Sequence, residues 1–162
     1  MSLAENIKTK GVYLGYFTFV EAIDSSGNPM MRMKFNTNLT RKELIALGDV
    51  VYGMYIYDEL VKIGKAGGAY GFYNRAGTYC NANPNERTNK KIRVEIDKRF
   101  AFGHVKIEIY AHSIPRIKNN YIDNVTEEVI EIYAPQIGAI ETKWTARAEI
   151  EGEDLYLSTQ KK

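Results

Sequence analysis

The chain has 162 residues, 44% hydrophobic and 26% charged, which suits one ordinary globular domain with a sizeable core. Its single cysteine, Cys80, excludes an intramolecular disulfide, and its two histidines, His104 and His112, give no zinc-ligand spacing and argue against a histidine-based triad. The net charge of +2 announces no polyanion partner, no apolar run reaches membrane-spanning length, and the N-terminus lacks the hydrophobic core of a signal peptide, so a cytoplasmic protein without membrane contact is expected.

In chain order, GVYLGYFTFVEAI (11–23) and MMRMKFN (30–36) flank the turn residues Asp24 to Asn28 and predict a β-hairpin. Thr40-Arg41-Lys42-Glu43 has the form of a capping box, opening a short helix with Leu44, Ile45 and Leu47 that Gly48 stops. Two strand-like runs follow, VVYGMYIY and LVKIGKA, around a polar break at Asp58-Glu59. Gly67 and Gly68 then lead to a short helix anchored by Tyr70, Phe72 and Tyr73, with Arg75 on it. CNANPNERTN reads as a polar loop because of Pro84. From Thr88 to about Phe102, Ile92, Ile96 and Phe100 recur at helical spacing, and Gly103 ends that run. HVKIEIYA (104–111) alternates like a strand, with His104 opening it and His112 directly after it, and RIKNNYIDN reads as a further loop. From about Thr126 to Ala148 the pattern is helical, split at Pro135 and Gly138, with Glu141 beside Ile137, Ile140 and Trp144. Together these elements predict an α+β fold, a small antiparallel sheet flanked by helices, as a single domain over 1–162.

Charge is unevenly spread. From Glu86 to Arg99 six basic residues face three acidic ones, whereas acidic residues dominate from Tyr121 to Asp154. One basic face toward a phosphate backbone would look like this, and so would a solvated helix surface. Twelve tyrosines add amphipathic rings that suit strand faces and binding grooves alike. Tyr52, Lys62, Arg75 and Tyr79 are spaced so that a hairpin packed on a helix brings them to one end. A phenol, an ammonium and a guanidinium together suit work on a phosphate. Taken singly, each of these residues is equally at home as a packed strand tyrosine or a solvated cation.

In order along the chain stand Val50-Val51-Tyr52, then Lys62-Ile63-Gly64 ten residues on, then the YNRAGTY run with Arg75 and Tyr79, and far downstream GAIETKWTAR with Glu141. This arrangement resembles the GIY-YIG nuclease superfamily over roughly Asp49 to Ala148. The closest likeness is to small type II restriction endonucleases with a lysine variant of the second motif. Two positions depart from the pattern, Val50 for the first glycine and Lys62 for the second tyrosine.

The resemblance implies a nuclease core over 49–150 with an N-terminal addition over 1–48, a hairpin and short helix for DNA recognition. It implies a Mg²⁺-dependent endonuclease that hydrolyses double-stranded DNA, with one divalent metal per active site and a homodimer as the cutting unit. On that reading Tyr52 is the general base assisted by the Lys62 ammonium, and Arg75 stabilises the phosphate. Tyr79 donates to a phosphate oxygen and Glu141 holds the metal, with Glu127, Glu128 and Glu131 as rival ligands. Lys65, Arg87, Lys90 and Lys91 are the candidate DNA contacts. Asn74, Asn81, Asn83, Asn85, Arg87 and Asn89 carry groups able to read base edges. Alternatives are a phage-type or repair endonuclease with relaxed or structure-specific cutting, and a catalytically silent DNA-binding module on the same scaffold. Cys80 is expected as a small buried residue.

Overall fold

The computed structural model describes residues 1–23, 27, 29–80, 87–101 and 103–158. The fold is α+β. Five antiparallel strands run in the order β2-β1-β5-β3-β4, from β1 (Val12–Ile23), β2 (Pro29–Phe35), β3 (Val50–Ile56), β4 (Glu59–Ala66) and β5 (Ile107–Ser113). Five helices flank it: α1 (Leu3–Lys10), α2 (Arg41–Ala46), α3 (Gly71–Cys80), α4 (Arg87–Phe100) and α5 (Ile137–Ile150). A separate two-stranded ribbon, β6 (Ile117–Ile122) with β7 (Val129–Ala134), completes the described elements. No helix among the described residues is long and apolar enough to cross a membrane.

Local chemistry explains most of these elements. The expected capping box is present: the Thr40 hydroxyl accepts from the Glu43 amide at 3.1 Å, and the Glu43 carboxylate accepts from the Thr40 amide at 3.3 Å. Gly48 follows the helix with φ +68, a conformation that glycine adopts without strain. The β3–β4 hairpin turns at Tyr57 and Asp58, both with positive φ, one residue earlier than the expected break, so Glu59 already belongs to β4. Two successive positive φ values match the right-handed twist of the flanking strands. Of the first turn, only Gly27 lies among the described residues, and the expected end of α4 at Phe102 lies outside them.

The core has two layers. On one face of the sheet Val50, Tyr52, Met54 and Val61 pack with Phe72, Ala76 and Tyr79 of α3 and with Ile92 and Ile96 of α4. On the other, Val51, Tyr55, Leu60 and Ile63 meet α1 and α5 through Ile7, Ile140, Trp144 and Ala148. Every residue of β3 is buried, as expected for a strand covered on both sides.

The N-terminal hairpin joins the main sheet, β1 hydrogen-bonding to β5 with Val12 opposite Ala111 and Phe17 opposite Ile107. Several expectations are corrected. Helix α1 was not foreseen; Ser2 caps it, its hydroxyl accepting from the Glu5 amide at 3.2 Å. β5 starts at Ile107, so His112 lies on it and His104 does not. RIKNNYIDN is no loop, and 126–134 is no helix; both belong to the β6–β7 ribbon. Asp123 makes the reversal, its carboxylate accepting from the Val125 amide at 2.9 Å and the Thr126 hydroxyl at 3.0 Å, and Glu127 sits in the turn at φ +62.

Candidate active site

A cavity of about 510 Å³ opens where β3, β4, α3, the start of α4 and α5 meet. Tyr52, Lys62, Arg75, Tyr79 and Glu141 all line it, together with Gly64, Lys65, Asn74, Thr78 and Thr88. The five side chains singled out from the sequence therefore share one wall. Glu127, Glu128 and Glu131, the rival ligands, lie on the exposed ribbon and do not line this cavity.

Tyr52 and Gly64 face each other across the β3–β4 ladder. The Tyr52 ring lies over Gly64 so closely that a Cβ there would come within 2.5 Å of the phenol oxygen and ring carbons. The glycine of Lys62-Ile63-Gly64 thus exists to let the ring pass. Phe72 abuts that ring edge-on at 5.1 Å, and Phe17 holds Tyr79 likewise at 5.4 Å. The two phenol oxygens stand 2.7 Å apart, hydrogen-bonded to each other in a buried setting. The Arg75 guanidinium, one turn before Tyr79 on α3, stacks on the Tyr79 ring at 4.4 Å.

Electrostatics divide the wall in two. Burial pushes Tyr52 well above the ordinary value for a phenol, the Tyr79 oxygen adds to the rise, and Arg75 only partly opposes it. Tyr79 is raised by burial as well, again with Arg75 opposing. In the absence of a divalent cation, desolvation outweighs every charge acting on Tyr52. Arg75 stays cationic: burial works against its charge, and the two phenols more than offset that. Lys62 behaves oppositely. It is only 6% exposed, and burial pulls its amine down to about 8, the Glu141 carboxylate opposing and Arg75 and Lys91 adding to the fall.

Glu141 reaches the cavity from the second turn of α5 and is 8% exposed. Among the described residues no group of three or more His, Cys, Asp or Glu could cage a metal ion. One buried carboxylate facing an open cavity does fit a hard cation such as Mg²⁺, which takes few protein ligands and fills its shell with water and phosphate oxygens.

The basic candidates separate. Lys65 lines the cavity with an exposed side chain. Lys90 is exposed, and Lys91 is half-buried and near enough to act on Lys62. Arg93, counted with the basic face, is buried instead. Arg87 opens α4, but its side chain, like Asn81, Asn83 and Asn85, lies outside the described residues. Asn74 lines the cavity, and the buried Asn89 spends its amide on the Thr78 carbonyl at 2.7 Å, tying α4 to α3. Cys80 is half-buried outside the cavity, its thiol raised by burial.

Thr78, Thr88 and Asp49 were not foreseen. Thr78 could have been found from its i+4 spacing to Asn74 on the helix face that carries Arg75. Asp49 is buried and held by the Arg116 fork at 2.8 and 3.1 Å, which pins the loop before β6 to the start of β3. No signal in sequence joins those two, 67 positions apart.

Neither a protein-family model nor a curated protein matches the chain. Among solved structures it is similar to a mutant of bacteriophage T4 EndoII, at 15% identity and a TM-score of 0.49, over 95% of this chain and 98% of that one. So remote a likeness carries no residue roles.

Proposed function

We propose that this chain is a DNA endonuclease of GIY-YIG type that hydrolyses phosphodiester bonds with the help of one divalent cation. One observation carries the reading: side chains from Tyr52 to Glu141, in the motif order of that superfamily, line a single cavity. Restriction-type cutting of double-stranded DNA is the finer reading, favoured by the lysine in the second motif.

Hydrolysis proceeds by in-line attack of water, with negative charge growing on the phosphoryl oxygens. Arg75 meets that charge with a planar fork already oriented by its stack on Tyr79, so little reorganisation remains to be made. Two phenols sharing one hydrogen bond hold two protons, and only one lies between them. The other is available to an oxygen in the cavity, which gives the Tyr52–Tyr79 pair a donor's role toward phosphate.

Of the two candidate proton acceptors, Lys62 fits better than Tyr52. A phenol held well above its ordinary value keeps its proton at neutral pH. An amine near 8 is neutral in a useful fraction of molecules, and a base matched to the working pH transfers protons most effectively. Glu141 would hold the cation, and the bound ion would stabilise charge on the leaving oxygen. Lys65 at the rim and Lys90 and Lys91 on α4 would meet flanking phosphates.

Digestion of a defined linear DNA with Mg²⁺, followed by sequencing of the ends, tests this. Discrete, reproducible ends support the restriction reading, and scattered ends support relaxed cutting. Intact DNA that nevertheless binds, whichever divalent cation is supplied, would make the protein a binding module and overturn the catalytic reading.

A further inference from the structure

The β6–β7 ribbon is the one paired segment among the described residues with no buried side chain. Of the fourteen large apolar side chains exposed in the described chain, eight lie between Ile117 and Tyr133. An isolated two-stranded hairpin is marginal in water, and so dense an apolar surface is unusual on a solitary molecule. The cross-strand register assigns the faces. Ile117 pairs with Ala134, Asn119 with Ile132 and Tyr121 with Ile130, so these six share one face without an acidic or basic side chain. Lys118, Glu131, Ile122, Val129, Asn120 and Tyr133 share the other, where Lys118 and Glu131 pair at 2.9 Å.

We propose that the uncharged face of this ribbon is the contact through which two copies of the chain pair. A two-fold contact sets each residue against a copy of its own surface. A charged face meets like charges there, and the Ile117–Tyr121–Ile130–Ile132 face meets none. Ile117, Tyr121, Ile130 and Ile132 each keep 40–51% of their surface in water, so a paired face would be a small contact, which predicts a reversible dimer of roughly micromolar affinity. DNA is the poorer occupant. Segment 116–134 carries Arg116 and Lys118 against Asp123, Glu127, Glu128 and Glu131, a net charge of 2 − 4 = −2. A duplex would be repelled.

The base of the ribbon is tied to the cavity. Arg116 grips Asp49 just before β3, the Gln136 amide donates to the Pro115 carbonyl at 2.6 Å, and Ile137 and Glu141 follow at once on α5. Pairing through the ribbon therefore fixes the two cavities relative to each other.

Sedimentation velocity on the full chain, from about 1 to 100 µM without DNA or metal, tests the pairing independently of the proposed chemistry. The expected result is a monomer–dimer equilibrium in which Ile130→Asp and Tyr121→Asp each raise the dissociation constant by about 100-fold or more, with unchanged far-UV dichroism. Val129→Asp, on the charged face, leaves it within about threefold. A wild type that stays monomeric throughout overturns the proposal, including the case in which Ile130→Asp alters DNA binding instead. So does a dimer weakened equally from both faces, or one indifferent to all three substitutions.

Discussion

Two hairpins of similar make-up meet opposite fates in this molecule. β3–β4 and β6–β7 are both antiparallel, both rich in branched and aromatic residues, and both punctuated by lysine and tyrosine. β3–β4 is roofed by α3 on one face and by α1 and α5 on the other, so its Tyr52 and Lys62 lose water and shift their proton affinities in opposite directions. β6–β7 has no roof, and its Lys118 and Glu131 remain a solvated pair, each about half exposed. Residue type did not make one hairpin a buried wall and the other a solvated arm. Coverage did, because desolvation is what turns a lysine into a base near neutral pH.

If that contrast is right, substitutions in the roofed hairpin and its cavity act on chemistry, and those in the open ribbon act on association. The largest effect belongs to Glu141→Ala, which removes the only buried carboxylate lining the cavity among the described residues. Cleavage should fall below detection in a plasmid assay while gel-shift binding persists. Arg75→Ala should cost about 10²–10³ in rate, the scale of losing one preorganised oxyanion donor, read from single-turnover kinetics.

Lys62→Met should lower the rate by about 10²–10⁴ and at the same time raise thermal stability at pH 7. The second half follows from linkage. The folded amine sits near 8 and the unfolded one near 10.5, so the unfolded chain binds more protons between those values. Stability of the wild type should therefore rise with pH from about 8 to 10.5, and the penalty is fully present below 8. In the methionine variant that rise should be absent from thermal melts. Wild-type cleavage should increase as pH climbs toward 8; a flat profile from pH 6 to about 9 would separate Lys62 from proton transfer.

A smaller effect is expected at Gly64→Ala, which forces a methyl group against the Tyr52 ring at 2.5 Å and should cost about 1–3 kcal/mol in denaturant titration. Smallest of all is Lys118→Ala in the open ribbon. Breaking its pair with Glu131 should leave stability within about 0.5 kcal/mol, since solvated ion pairs contribute little.

How far the sequence foretold this molecule follows the reach of each interaction. The capping box at Thr40, the β3–β4 hairpin and helix α3 were legible because their causes lie within a few residues. The ribbon was misread because Val125, Val129, Ile132 and Tyr133 satisfy helical spacing about as well as strand pairing does. The branched chains and the Asp123 turn were the signals that should have decided it. That β1 joins the main sheet was out of reach, since Val12 pairs with Ala111, 111 − 12 = 99 positions further along the chain. The cavity's membership was legible from motif order, whereas its protonation was not. Tyr52 titrates high because Phe72 and Tyr79 close over it, and local sequence says nothing of that cover.

Incubating supercoiled plasmid with Mg²⁺ and either wild type or Glu141→Ala bears most directly on the central claim. Nicked and linear DNA from the wild type alone is the predicted result. Equal cutting by both proteins, or none by the wild type, would contradict it.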